Sequence, residues 1–483
     1  MVQAEGGRWP QYAAAIAATL SLAATGAHIG WTSPTLPTLK ALPEGHPLRL
    51  SSGQASWIAS LYLLGSLPGN ALAAPLVDRL GRRRTLLLAG LPLALSWLLL
   101  ALARRPWLLC AARLLAGLGQ GLVYVCCPVY IGEIAEARVR GRLGSLMKLM
   151  VSAGELYARA LGPYVSYGAL AWGCLLLPLG FLLAFGRMPE SPYFLLTRAR
   201  RAEAEHCLRR LRAPGCPAER LQEDLDQLQK AAIRELGARR GGAQLLAALW
   251  ANRRAALVCL GLQLALQLGG LAAVESYTQE ILESGGLAAA RLSAPAAVIG
   301  LSAVQLLAGL GAAALVDRVG RRPLLLATAL LAGLCLGASA AFFLLERRLG
   351  PALPARAGLL LVGSVVGYEL AVSLGLSPLP YLMLGELFPV DVKGAAVSLA
   401  NLWASLLAFV VSKMHQVVAD AAGIETSFAC YAAASFLGLL FIFFCVPETK
   451  GKSLLQIQEE LRCGSRKPKL CAPGAQSRIS TIA

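Results

Sequence analysis

Val77-Asp78-Arg79-Leu80-Gly81-Arg82-Arg83-Arg84 lies wedged between two long apolar runs. It returns about half a chain later as Val316-Asp317-Arg318-Val319-Gly320-Arg321-Arg322. Two further landmarks recur in the same order. Gly132-Glu133 with Arg140-Gly141 is echoed by Gly385-Glu386 with Lys393-Gly394, and Pro189-Glu190-Ser191-Pro192 by Pro447-Glu448-Thr449-Lys450. A repeat this long implies an internal duplication; a solenoid would repeat at a far shorter period.

The runs around these landmarks identify the solvent. Hydrophobic residues make up 56% of the 483 and charged ones 15%, too apolar for an ordinary soluble protein. The runs are about 19 to 30 residues long, enough for a helix to cross roughly 30 Å of hydrocarbon. Six precede the middle, at about 12–36, 54–77, 85–103, 107–130, 143–165 and 169–187; six follow, at about 254–280, 292–316, 323–345, 357–386, 394–418 and 427–446. The expected architecture is an all-α membrane protein. A short N-terminus (1–11), a six-helix bundle (12–187), a helical linker (188–253), a second six-helix bundle (254–446) and a tail (447–483) follow one another. The first segment lacks a short apolar core followed by a small-residue cleavage site, so no cleavable signal peptide is expected.

Charge sets the orientation. The net charge of +18 could suggest nucleic acid, but its distribution points elsewhere. The loops opposite the two DRxGRR turns hold eight basic residues: Lys40, Arg49, Arg104, Arg105, Arg291, Arg347, Arg348 and Arg356. Most of the others fall on the DRxGRR side, which the positive-inside rule places in the cytoplasm with both termini. The surplus then serves topology and anionic lipid head groups, with the bilayer and not nucleic acid as partner. Arg198 to Arg240 carries 11 basic and 7 acidic residues, with Leu208, Leu211, Leu221, Leu225 and Leu228 at helical intervals, as in amphipathic helices under the bundle. The tail beyond Glu460 is polar and basic and is expected to be disordered. The twelve cysteines form no CxxC pair and lie mostly in apolar runs, so neither zinc nor a disulfide framework is implied. No P-loop or other nucleotide signature occurs, and no cofactor or catalytic chemistry is expected.

Together these motifs resemble the sugar-porter branch of the major facilitator superfamily over about residues 12 to 460. Gln54-Ala55-Ser56-Trp57 and Trp31-Thr32-Ser33-Pro34 look most like the insect facilitated trehalose transporters and intracellular-type glucose transporters. The resemblance implies two six-helix bundles that enclose a midplane sugar site and open it alternately to each side. It further implies a charge latch between the bundles on the cytoplasmic side. Asp78, Arg82, Arg83, Glu133, Arg140 and Glu190 would form it in the first half, with Asp317, Arg321, Arg322, Glu386, Lys393 and Glu448 in the second. Glu133 and Arg140, seven apart, are expected on one helical face; the alternative is that the arginines merely fix topology.

A sugar site needs amides that both donate and accept, and an aromatic or apolar face for the ring. The resemblance puts these on the seventh segment as Q-x-x-Q-Q-x-S-G-x-N. Gln263 and Gln267 match and share a face, whereas Leu266 and Ala272 replace the second glutamine and the asparagine. Gln305 matches the asparagine of the eighth segment. Ser377-Pro378-Leu379-Pro380-Tyr381 matches G-P-x-P-W with tyrosine for tryptophan, and Ala404-Ser405 replaces an N-W pair. Interhelical hydrogen bonding is the other reading of the two glutamines.

The fifth segment departs furthest. Lys148 stands where the family has glutamine, above Glu155 and Arg159 on one stripe. Ionisable residues at membrane depth face a cavity or each other. Either the three line the site, or Glu155 and Arg159 neutralise each other while Lys148 snorkels to the interface. His28 lies near the aspartate position of proton-coupled relatives, facing the family arginine matched by Arg113. Glu275 and Glu369 are two further intramembrane acids, with partners that the sequence does not name. The expected activity is uniport of a hexose or of a disaccharide such as trehalose, by a monomer in the plasma membrane. The rivals are proton symport using His28 or Glu155, and a sugar sensor that does not transport.

Overall fold

Apolar composition and phased prolines and glycines make every described element a helix or a turn. The structure, a computed structural model, describes residues 9–212, 217–238, 250–284, 293–350, 357–388, 390–452 and 456–457. The first half runs α1 (Trp9–Lys40), α2 (Ser52–Leu80), α3 (Arg82–Ala101), α4 (Pro106–Ile134), α5 (Ala137–Leu161) and α6 (Tyr167–Phe185). Ser51 and Gln54 form a reciprocal capping box that starts α2, so Gln54 of the Gln54-Ala55-Ser56-Trp57 motif is spent on the helix end. Ser166 caps α6. Short helices α7 (Pro192–Thr197), α8 (Arg201–Leu211) and α9 (Ala218–Ala238) follow. Leu208, Leu221 and Leu225 on α8 and α9 bury against Leu195 and Leu196 of α7, with Leu228 half-buried beside them. The linker is amphipathic, as its leucine spacing requires.

The second half runs α10 (Arg253–Leu268), α11 (Leu271–Ser284), α12 (Ala294–Val319), α13 (Arg321–Leu349), α14 (Ala357–Ala371), a π turn (Val372–Leu376), α15 (Pro378–Leu387), α16 (Val390–Ala422) and α17 (Ile424–Cys445). Two segments that read as single helices are therefore broken. The seventh stops at Gly269 and restarts after Gly270, whose φ of +85° suits glycine and whose missing Cβ would lie 2.6 Å from the Tyr431 ring. The tenth loosens into the π turn just before Pro378, which has no N–H to continue the ladder.

Among the described residues, eleven helices are long and apolar enough to cross a membrane. The remaining crossing is α5, whose Arg142, Lys148, Glu155 and Arg159 lower its hydropathy. It is held by a very close approach to α1. A Cβ on Gly26 would come within 2.0 Å of the Val151 carbonyl, and one on Gly154 within 2.0 Å of that of Ala23. Only small residues permit such contact. The two halves meet along α2 with α16, α5 with α12, and α1 with α11.

Candidate functional site

At the DRxGRR end, each half builds the same cluster. The turn after α2 passes through Gly81 at φ +94°, and the turn after α12 through Gly320 at φ +102°. In the first half, Arg82 donates to Glu133 Oε1 from Nε (3.0 Å) and Nη2 (2.7 Å). Glu190 Oε1 accepts from the backbone N–H groups of Arg82 (3.0 Å) and Arg83 (2.9 Å) at the start of α3. Ser191 donates to Glu133, and Arg83 to the Gly186 carbonyl. In the second half, Arg321 donates to Glu386 Oε1 (3.2 and 3.0 Å), and Glu448 accepts from the N–H groups of Arg321 (3.2 Å) and Arg322 (3.0 Å). Thr449 donates to Glu386, and Arg322 to the Phe443 carbonyl. A carboxylate at each helix N-terminus is where the helix dipole favours negative charge. Glu448 lies past the last crossing helix. Burial opposes its ionisation, but backbone N–H groups of Lys450, Arg322, Arg321 and Thr449 hold its carboxyl below the usual range.

These bonds tie helices within a half. The backbone corrects one expectation: α4 ends at Ile134 and the chain is extended through Ala135 and Glu136. Glu133 and Arg140 therefore sit on different helices and share no face. The side chains of Arg140, Asp317 and Lys393 lie outside the described residues. Asp78 acts on Arg82 electrostatically, and its main-chain carbonyl accepts from Arg198 at 2.9 Å.

Some bonds between halves lie toward the opposite end, at Lys40, which the sequence reading assigned to topology, and at Ser33 and Ser56. Deeper, Asn70 of α2 donates to the Ser405 hydroxyl of α16 at 3.1 Å. Lys40 donates to Glu280 Oε1 at 2.7 Å and to Gln416 at 3.5 Å. Lys413 donates to the Ser56 hydroxyl at 2.6 Å and lies 4.3 Å over the Trp57 ring. The Gln279 N–H donates to Ser33 at 3.2 Å. The available signal was a lysine ending the first apolar run and Glu280 ending the broken seventh.

Deeper, the expected sugar residues come together unevenly. Gln263 on α10 is fully buried, and neither of its amide atoms has a hydrogen-bond partner; Gln267 Oε1 is also unpartnered. The Tyr381 hydroxyl lies beside Gln263. Tyr381 is 45% exposed although deeply surrounded by protein, as befits a ring lining an internal opening. Tyr124 on α4 is within electrostatic reach of Tyr381, Tyr62, Glu155 and Glu275. One turn earlier, Gln120 Oε1 is buried and unpartnered. The sequence reading missed both; their i, i+4 spacing on one face was the signal.

Gln305 differs from the other amides. Its Oε1 accepts from Arg159 Nη1 at 3.2 Å, and its Nε2 donates to Glu369 Oε2 at 2.5 Å. Arg159 also donates to Ser302 Oγ (3.0 Å) and the Glu275 carbonyl (3.4 Å). Its contact with Glu155 is longer, at 3.9 Å. The expected local pair is thus the weaker partnership, and Arg159 instead joins the two halves. The Lys148 stem approaches within 3.9 Å of where a Gly309 Cβ would stand on α12, so it faces the other half. His28 stacks on Trp97 (4.1 Å, 15°) with both ring nitrogens unpartnered. Arg113 donates to the His28 carbonyl (2.7 Å) and lies over Tyr62 (4.4 Å) and Trp31 (5.3 Å). His28 is enclosed by packing.

Two aromatic rings, Tyr381 and Tyr124, and the unpartnered amide atoms of Gln263 and Gln267 thus lie near the seam of the two halves. Residues 13–461 match the family described as Sugar (and other) transporter. A facilitated trehalose transporter Tret1 of Bombyx mori is 32% identical over 462 residues, covering 95% of this chain and 88% of that protein. Its counterpart in Aedes aegypti is 31% identical over 453 residues, covering 94% of this chain but 55% of the longer mosquito protein. Among solved structures, an inward-open conformation of the xylose transporter XylE from E. coli superposes with a TM-score of 0.76. It is 22% identical, over 93% of this chain and 99% of that one. This likeness shows that the chain has the major facilitator fold.

Proposed function

Because the chain belongs to the sugar (and other) transporter family, we propose that it carries a neutral sugar, a hexose or a disaccharide such as trehalose, down its gradient by alternating access. It is a transporter and not an enzyme. The observation that carries the substrate reading is the pair of buried amides on α10, Gln263 with both amide atoms and Gln267 with its oxygen unpartnered. An unsatisfied buried amide costs about 1–3 kcal/mol. Gln263 and Gln267 recover that energy when sugar hydroxyls replace the missing partners, with Tyr381 and Tyr124 against the ring.

The gates follow from where the halves hold each other. The pairs of Lys40 with Glu280 and Lys413 with Ser56 close the end opposite the DRxGRR turns. Each DRxGRR cluster stiffens its own half, so that the halves rock as rigid bodies. The positive-inside bias supports a cytoplasmic DRxGRR end. On this assignment the conformation faces inward.

The test is an uptake panel with purified protein in liposomes, using radiolabelled glucose, trehalose and xylose. Saturable uptake of at least one sugar is expected. Sugar binding without flux would overturn transport in favour of a sensor.

A further inference from the structure

Helices α3 and α6 each carry one outward stripe that ends in an arginine. On α3 the exposed Leu95, Leu91 and Leu88 descend at helical spacing to Arg84. On α6 the exposed Leu176, Leu179 and Leu183 descend to Arg187, just past its last turn. The two helices pack so closely that a Cβ on Gly90 would lie 2.8 Å from the side chains of Phe181 and Leu182. Exposed leucines on crossing helices face hydrocarbon, and both arginines stand where it ends, on the DRxGRR side. A third arginine joins them. Arg210 of α8 donates to the Arg187 carbonyl at 3.1 Å, while the Arg187 guanidinium reaches the Leu183 carbonyl at 3.4 Å. Among the described residues, none of Arg84, Arg187 and Arg210 has a carboxylate partner. The neighbouring acids are engaged elsewhere: Glu190 with the N–H groups of Arg82 and Arg83, Glu203 with Arg200, and Glu205 with Arg209.

The second half lacks this arrangement. Leu330 and Leu334 of α13 repeat Leu91 and Leu95, but Pro323 stands where Arg84 does. Cys445, three residues before Glu448, stands where Arg187 does before Glu190. The positive-inside bias alone would treat the two halves alike. A guanidinium grips a phosphate through its fork of N–H donors, and basic clusters at this depth suit anionic head groups. We propose that the junction of α3, α6 and α8 is a binding site for an anionic phospholipid. Arg84, Arg187 and Arg210 hold its phosphate, and its acyl chains lie along the leucine stripes. The stripes decide between a lipid and a free phosphate, because only a lipid uses them. Bound there, the lipid ties the linker helix α8 to the membrane face of the first half.

Lipid retention requires no sugar flux, so failure of the transport reading would leave it untouched. Purified protein in detergent is titrated with phosphatidylserine, with phosphatidylcholine as the neutral comparison, and bound lipid is counted by native mass spectrometry. Phosphatidylserine should fill one saturable site on the wild type, and water-soluble glycerophosphoserine at equal concentration should not displace it. Arg84 makes no hydrogen bond or ion pair with the described residues, so Arg84→Gln leaves the fold intact. It should weaken binding about fivefold, and Arg84→Gln, Arg187→Gln and Arg210→Gln together about a hundredfold. Removing the same charge from the same end of the second half, by Arg253→Gln, Arg254→Gln and Lys452→Gln, should leave the site filled. Equal loss in the two triple variants would overturn the proposal, as an effect of bulk charge. So would unchanged binding in Arg84→Gln, or a wild type that takes phosphatidylcholine equally well. Displacement by glycerophosphoserine would overturn it too, in favour of a site for a free phosphoester.

Discussion

The DRxGRR end and the middle of the membrane are built on opposite principles. At the DRxGRR end the halves repeat each other almost atom for atom: an arginine on a glutamate, a second glutamate on two backbone N–H groups, and a hydroxyl on the first glutamate. Even Arg83 Nε and Arg322 Nε are left unpartnered alike. At mid-membrane the halves do not repeat. Arg113, Lys148, Glu155 and Arg159 come from the first, and Glu275 and Glu369 from the second. The part that repeats ties helices within each half, and the part that differs ties one half to the other.

The largest effect should separate the two copies of the repeated cluster. The Arg82–Glu133 pair is the drier, with side chains 7% and 15% exposed against 15% and 23% for Arg321–Glu386. Arg82→Ala should destabilise the protein in detergent by about 3 kcal/mol, because it removes the cation that faces a largely buried carboxylate. Arg321→Ala should cost about 2 kcal/mol. Equal losses in chemical unfolding would erase the distinction between the halves.

Next come the amides. Gln263→Ala and Gln267→Ala should each weaken sugar binding about tenfold, roughly 1.4 kcal/mol of lost hydrogen bonding. Gln305→Ala should weaken binding less, because both ends of its amide are already occupied, by Arg159 and Glu369. Binding titrations that found the three variants alike would return Gln305 to the sugar-contacting group.

A smaller effect belongs to the end opposite the DRxGRR turns. Lys40→Met removes a half-exposed pair worth about 1 kcal/mol, so the outward-facing population should rise about fivefold. Labelling of a cysteine introduced at Thr35 reads that population, and unchanged labelling would remove Lys40 from the gate.

The smallest is a pH effect on the second-half cluster. Glu448 ionises more readily folded than unfolded, so its contribution to stability is complete above the ordinary carboxylate range, near pH ~4.3. It fades as pH falls through the lower folded value. Glu448→Gln should flatten that acid limb in melting curves, and an unaltered limb would assign acid sensitivity elsewhere.

The same contrast explains what could be read from the sequence. The crossing segments and the two clusters were legible because hydropathy and short motifs are local, and the duplication displayed each motif twice. The break at Gly269-Gly270 was visible as a pair of glycines, yet the apolar run continued across it and read as one helix. Glu133 and Arg140 failed for the converse reason: spacing assumes an unbroken helix, and Ala135 and Glu136 are extended. Arg159 could not be assigned because Gln305 and Glu369 lie 146 and then 64 residues further along the chain. No periodicity connects such partners. Glu155 offered itself as a neighbour, but the better hydrogen bonds cross between the halves.

Facilitated sugar movement is tested most directly by trehalose or glucose uptake into proteoliposomes, with and without an imposed pH gradient. The account predicts that the internal concentration rises to the external one and stops there, unchanged by the gradient. Preloaded unlabelled sugar should drive transient counterflow of the label. Accumulation above the external concentration that collapses with the pH gradient would contradict it.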